Sequence, residues 1–184
     1  MSNRSFDVMR ASKFLSYVLR HRPESIGIFL DKQGWADVPE LLAEAAVAGI
    51  PISLDDLKQI VALNDKKRFV LSDDAMRIRA AQGHSINVDL KLTVKTPPPA
   101  LYHGTVGKFI AAIRKQGLQR MNRHDVHLSK DKETASKVAV RRGTPVILVV
   151  ETFPMLRDGY KFCVSNNGVW LIPEVPPKYI KFPY

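Results

Sequence analysis

Three consecutive prolines, Pro97-Pro98-Pro99, divide this chain into two stretches of different pattern. A proline run has fixed φ and no backbone N–H, so neither a helix nor an interior strand passes through it. Such a run is extended and semi-rigid, which suits a linker. The 184 residues then fall into two lobes, 1–95 and 100–184, joined by residues 96–99. Each lobe is long enough for a modest core of its own.

Ahead of the prolines the pattern is helical, then hairpin-like. A first helix over about residues 6–20 places Phe14, Leu15, Val18 and Leu19 at core-facing spacing. A second follows Asp37, a good N-cap, with Pro39 in its first turn and Gly49 closing it. A third opens at Ser53 with Asp56 in capping-box register and turns Leu54, Leu57, Ile60 and Val61 inward. Arg68–Leu71 and Met76–Ala80 then read as strands around a Ser72-Asp73-Asp74 turn. Three helices followed by a hairpin is the winged-helix order, which usually serves nucleic-acid binding.

Behind the prolines, strands and helices alternate. Leu101–His103, Val126–Leu128 and Val146–Val150 read as strands, and Val106–Lys115 and Lys132–Arg142 as helices. Phe162–Ser165 and Val169–Ile172 flank Asn166-Asn167-Gly168, a strong hairpin signal, and Tyr179–Tyr184 reads as an edge strand. The whole is an α+β protein whose second lobe carries a mainly antiparallel sheet.

Charge narrows the partners. Twenty-eight Lys and Arg against 18 Asp and Glu leave a net charge of +10, which calls for a polyanion, with RNA or DNA first. The single cysteine, Cys163, rules out an internal disulfide and a cysteine-based zinc site. The opening residues, with Arg4, Asp7 and Arg10, lack the apolar stretch of a secretion signal. No apolar run approaches the ~20 residues that span a bilayer. A cytoplasmic protein with no membrane partner is expected, and a monomer is the default.

No Walker A string and no GxGxxG after a strand are present, so the familiar phosphate loops are excluded. His124 and His127 lack a third ligand at sensible spacing, so no metal is expected. Four other places stand out. Leu19-Arg20-His21-Arg22-Pro23 presents a guanidinium beside an imidazole at a helix end, suited to a phosphate ester. Cations there also meet the helix macrodipole, worth about 0.3–1 kcal/mol, which is a purely structural explanation. Tyr102-His103-Gly104-Thr105 puts a histidine at a strand end before a glycine that permits close backbone approach. Arg123-His124-Asp125-Val126-His127-Leu128-Ser129 crowds a cation and two imidazoles against a strand, and Asn166–Leu171 brings amides and an indole to a hairpin.

With these segments in this order, the chain resembles the NAD-dependent RNA 2′-phosphotransferases, relatives of the eukaryotic enzyme that finishes tRNA splicing. The resemblance runs through Ser12–Ser16, Arg20-His21, Gly34-Trp35, Lys67-Arg68-Phe69, Ile78–Ser85, Tyr102–Thr105, Val126–Ser129 and Asn167–Leu171. It implies a winged-helix RNA-binding lobe joined to an ADP-ribosyltransferase-like lobe. It also implies an essential set of Arg20, His21, Arg68 and Arg123. Many members carry a histidine two residues after the last arginine where this chain has Asp125, and Arg120 stands close enough to take the same place.

The implied reaction moves an internal RNA 2′-phosphate onto NAD through ADP-ribosylated RNA. The products are 2′-OH RNA, nicotinamide and ADP-ribose 1″,2″-cyclic phosphate, and no metal is required. Arg68 and Arg123 would grip the phosphate, Arg20 the phosphate or pyrophosphate, and His21 would act as general acid or base. By family position, NAD falls to His103, Gly104, Thr105, Ser129, Asn167, Gly168 and Trp170. The RNA-facing wall falls to Lys66, Lys67, Arg77, Arg79, Gln82 and His84. Two other readings stay open: an ADP-ribosyltransferase acting on nucleic-acid terminal phosphates or protein, and a noncatalytic winged-helix nucleic-acid binder.

Overall fold

The computed structural model describes residues 7–64 and 66–183. The chain forms two compact units, Met1–Lys91 and Leu92–Tyr184. The division falls ahead of the proline triplet, which belongs to the second unit. The Lys95 N–H donates to the Phe162 carbonyl at 2.9 Å. Thr152 donates to two proline carbonyls, from Oγ1 to Pro98 at 2.5 Å and from N–H to Pro99 at 3.2 Å. The prolines cannot donate, but their carbonyls accept, and that holds the expected linker onto the unit that follows it.

In the first unit, α1 (Val8–Val18), α2 (Val38–Val47) and α3 (Leu54–Ala62) pack over a three-stranded antiparallel sheet. Its strands are β1 (Ala36–Asp37), β2 (Phe69–Leu71) and β3 (Arg77–Ala80), in the order β1-β3-β2. Side-chain oxygens of Asp7, Asp37 and Ser53 accept an N–H three residues on, each cap worth about 1 kcal/mol. At Ser53 the capping box is complete, since Asp56 Oδ2 accepts the Ser53 N–H at 3.0 Å. Leu15, Val18, Leu19, Leu41, Leu57, Ile60 and Ile78 form the heart of the core. Burying each side chain stabilises by about 1.5–3 kcal/mol.

Several boundaries differ from expectation. α1 stops at Val18 with Leu19 as its cap, so Arg20 and His21 lie in a turn rather than in the helix. The N–H groups of His21 and Arg22 both turn back to the Tyr17 carbonyl, at 2.9 and 3.2 Å. Pro23 then opens a 3₁₀ turn, Pro23–Ile26, as its fixed φ favours, and Gly27 closes it at φ 77°. In α3 only Leu57 and Ile60 are buried; Val61 is half-buried, and Leu54 is exposed because it occupies the first turn. β1 went unforeseen because two residues are too few to show a period. Residue 6, where the first helix was expected to begin, and Tyr184, the expected end of the last strand, lie outside the described residues.

The second unit is built from antiparallel pairs. One sheet orders β4 (Thr93–Val94), β9 (Cys163–Val164), β10 (Trp170–Ile172) and β7 (Val126–Leu128) as β4-β9-β10-β7. Another orders β12 (Ile180–Lys181), β8 (Pro145–Glu151) and β5 (Ala100–Val106) as β12-β8-β5, and β11 (Glu174–Val175) pairs β6 (Leu118–Gln119). Tyr102 and Ser129 bridge the first two sheets, each N–H reaching the other's carbonyl at 2.9 and 2.8 Å.

Strand β5 runs on to Val106, so the expected helix there starts later, as a 3₁₀ turn Gly107–Phe109 followed by α4 (Ile110–Gln116). α5 (Lys132–Ala139) gives way to a 3₁₀ turn, Val140–Arg142, short of the expected helical end, and α6 (Thr152–Arg157) was not foreseen. The core gathers Leu101, Leu128, Leu148, Val150, Met155, Phe162 and Ile172.

Candidate functional site

In the first unit, the Arg20 side chain reaches the Arg68 backbone, and His21 follows Arg20 in the same turn. The Arg68 carbonyl accepts the Ala81 N–H at 2.8 Å and a long contact from Arg20 Nη2 at 3.5 Å. Arg68 itself is held from behind by Asn64, whose Oδ1 accepts from Arg68 Nη1 at 3.3 Å and Arg68 N at 3.4 Å. The same oxygen accepts the Lys66 N–H at 3.2 Å, an Asx turn that shapes the approach to β2. Lys67, next to it, sits at φ 40°, a left-handed position for a non-glycine residue. His21 Nδ1 lies 3.0 Å from Ser85 Oγ. Asn64 has no place in the sequence reading, although its Asn-x-Lys-Lys turn is an available signal, and Ser85 has only its place in the Ile78–Ser85 segment.

The expected RNA wall divides. Lys66, Lys67 and Arg77 are exposed, and Gln82 is half-buried. Arg79 is committed to the fold: its guanidinium lies 4.6 Å from the Trp35 ring centre and donates to the carbonyls of Gln33 and Leu90 at 3.4 and 3.5 Å. Arg77 approaches the same ring at 5.4 Å. His84 departs from the expectation, because at 1% exposure it lies inside the unit and not on a wall. Its ring packs where Gly34, at φ 80°, has no side chain; a Cβ there would stand 3.4 Å from His84 Nε2.

In the second unit the topology joins three segments distant in sequence. β7 pairs with β10 (Trp170 opposite Leu128), and the Tyr102–Ser129 bridge attaches β5 to the end of β7. His103, Ser129 and the Asn167-Gly168 hairpin therefore belong to one connected frame. His103 Nδ1 is 3.1 Å from the His127 carbonyl, so Nδ1 carries the hydrogen and donates. Burial pushes the His103 pKa below its usual value; the bond to His127 opposes this, and Arg142 and Arg123 add to it.

Gly104 does permit the close backbone approach its motif suggested, and the backbone that approaches is that of α5. A Cβ there would stand 1.9 Å from the Ala135 carbonyl oxygen, so this glycine lets α5 lie directly on β5. Thr105 and Trp170 are buried, at 6% and 9%, and Trp170 is part of the core. The Asn167-Gly168 turn is closed by Ser165, whose Oγ donates to Asn167 Oδ1 at 2.6 Å, while Gly168 adopts φ 78°.

The two candidate arginines face different neighbours. Arg123 is exposed, and its Nη1 reaches His127 Nδ1 at 2.9 Å; loss of hydration against the surrounding protein and the nearby Arg142 both work against its charge. Arg120 lies in the field of Asp125, whose carboxyl pKa burial raises while His124 and Arg120 lower it. Asp125 also acts on Cys163, where burial comes first in raising the thiol pKa. The aspartate therefore engages Arg120, His124 and Cys163, whereas Arg123 stands with His127, His103 and Arg142. Positive groups that raise one another's charging cost make a place for an anion. Among the described residues no group of three or more His, Cys, Asp or Glu could hold a metal ion.

Comparison with known proteins bears on what such an arrangement serves. Residues 7–174 match the model of the RNA 2′-phosphotransferase, Tpt1 / KptA family. A probable RNA 2′-phosphotransferase of Burkholderia pseudomallei is 74% identical over 183 residues, covering 100% of both chains. Proteins of the same description from Streptomyces coelicolor and Flavobacterium johnsoniae are 54% and 57% identical; the alignments cover 95% of both chains and 93% and 94%, respectively. The chain belongs to the RNA 2′-phosphotransferase, Tpt1 / KptA family.

Proposed function

We propose that this protein removes an internal 2′-phosphate from RNA by passing it to NAD. The contact of Arg20 with the Arg68 backbone, with His21 next to Arg20 in the same turn, carries this reading. It supplies fixed cations and a titratable imidazole for a phosphate ester. The first unit acts as a winged-helix RNA-binding lobe and the second as an ADP-ribosyltransferase-like lobe. The frame of His103, Ser129 and the Asn167-Gly168 hairpin suits a dinucleotide. It offers a half-buried imidazole of fixed orientation, with Arg123 and Arg142 as surplus positive charge for a diphosphate or phosphate.

NAD is the second substrate and supplies an activated ribosyl carbon. In the first step an oxygen of the RNA 2′-phosphate forms a bond to that carbon, and nicotinamide leaves with the electron pair of the broken glycosidic bond. A phosphate dianion is already nucleophilic, so the protein's task here is positioning. In the second step the ribose 2″-hydroxyl bonds to phosphorus and the bond from phosphorus to the RNA 2′-oxygen breaks. The hydroxyl proton is lost and the RNA oxygen gains one. His21 exchanges these protons, while Arg20, Arg68 and Arg123 stabilise charge on the transferring phosphoryl group.

Incubating the protein with NAD and an oligonucleotide bearing one internal 2′-phosphate tests the reading. Release of nicotinamide, 2′-OH RNA and ADP-ribose 1″,2″-cyclic phosphate is the expected result. Absence of NAD consumption sinks it, and a stable ADP-ribosylated product from the wild-type protein replaces it with a simple ADP-ribosyl transfer.

A further inference from the structure

Ser85 makes two contacts to the Arg20-His21 pair. Its N–H donates to the Arg20 carbonyl at 3.0 Å, and its Oγ stands 3.0 Å from His21 Nδ1. The segment that carries it follows β3 and begins at Ala81, whose N–H donates to the Arg68 carbonyl at 2.8 Å. Between these points Gly83 turns at φ 89° and His84 is buried at 1%, so the segment is anchored inside the unit and not a free loop. The stretch 81–85 therefore clips Arg68 on one side and Arg20-His21 on the other. The resemblance gives Ser85 no role beyond its place in a motif.

We infer that Ser85 is a positioning residue for His21, holding Nδ1 so that proton exchange with the RNA runs through Nε2. This rests on the proposed role of His21 as general acid and base. The chemistry of the hydroxyl suits the task. A serine oxygen donates to an unprotonated Nδ1 and, by rotating its hydrogen, accepts from a protonated one. The ring thus keeps one orientation through both halves of a proton cycle, whereas a carboxylate at the same place would favour the charged ring throughout. An imidazole without a partner at Nδ1 turns about its two-fold torsion and presents the wrong nitrogen part of the time.

The test uses the full chain with Ser85→Ala and Ser85→Thr, read by the ¹⁵N resonances of the His21 ring and by turnover of the 2′-phosphorylated oligonucleotide with NAD. The resonances are assigned by their loss in His21→Asn. The alanine variant is expected to move the His21 Nδ1 resonance toward that of a fully hydrated ring. It is also expected to lower kcat by about ten- to a hundredfold, with KM for NAD changed by less than about twofold. The threonine variant keeps a hydroxyl and is expected to retain both the resonance and most of kcat. An unmoved resonance in Ser85→Ala, an unchanged kcat, or a threonine variant as slow as the alanine one overturns the inference. No turnover by the wild-type protein overturns the proposed reaction instead, and the resonance comparison still decides the Ser85 contact.

Discussion

Arg123 Nη1 stands 2.9 Å from His127 Nδ1, and because a guanidinium can only donate, the imidazole nitrogen must accept. That keeps Nδ1 of His127 unprotonated while the contact lasts. The His127 carbonyl in turn accepts from His103 Nδ1 at 3.1 Å, so one residue of β7 orients both a candidate phosphate ligand and a candidate nucleotide ligand. A short strand does this because its side chain and its carbonyl leave the backbone in different directions.

Arg123→Ala removes the charge that this arrangement holds in place. The second step, in which charge develops on phosphorus, is expected to slow by about a hundredfold or more, and the first step by less. ADP-ribosylated RNA should then accumulate in a single-turnover gel assay. His127→Ala, which only releases the guanidinium, should give a smaller accumulation. If neither variant accumulates the intermediate, Arg123 does not grip the phosphate.

His103 makes stability depend on pH. Its folded pKa is depressed below 6.5, chiefly by burial, so on acidification the unfolded chain takes up a proton first. The contribution is complete above 6.5 and is lost as pH falls from there through the lower folded value. Urea midpoints should therefore fall more steeply on acidification for the wild-type protein than for His103→Gln. Parallel curves for the two proteins would exclude the linkage.

Gly104→Ala should be severely destabilising, because its Cβ would stand 1.9 Å from the Ala135 carbonyl oxygen and 2.7 Å from the carbonyl carbon. Backbone on both sides leaves no flexible atom to yield, so a loss of about 3 kcal/mol or more is expected in denaturant unfolding. Gly168→Ala meets nothing within 4 Å and is strained only by φ 78°, so its cost should be about 1 kcal/mol. A mild effect at Gly104 would mean that α5 does not lie on β5 as described.

Asn64→Ala removes an acceptor shared by Arg68 N, Arg68 Nη1 and Lys66 N. Stability should fall by about 1–2 kcal/mol and turnover by about tenfold, with KM for NAD unchanged. Steady-state kinetics beside thermal unfolding separate these effects. A rise in KM for NAD alone would contradict the placement of Asn64 behind Arg68.

The helices of the first unit were legible because α1, α2 and α3 each carry a cap and a buried stripe. The Asn166-Asn167-Gly168 turn announced its hairpin through Gly168, which does adopt φ 78°. The short strands β1, β4, β6 and β11 were not legible, since two residues show no period and owe their conformation to partners far along the chain. The proline triplet misled for a related reason. Fixed φ and missing donors are local facts, whereas acceptance of Thr152 and the pairing of β4 with β9 are not.

By itself, then, the sequence determined the α+β class, a net positive charge suited to a polyanion, and the motifs that place the chain in its family. Each follows from composition or from residues adjacent in the chain. Only the tertiary structure decided that Gly104 serves helix packing, that His84 is internal, and that Arg123 rather than Arg120 joins the two histidines. It alone showed Asn64 and Ser85 behind Arg68 and His21. The contacts of Gly104, His84, Ser85 and His103 join residues tens of positions apart. Asn64–Arg68 and Arg123–His127 are only four apart, but depend on how their turns close. No local propensity encodes which side chain will meet which once the two cores have closed.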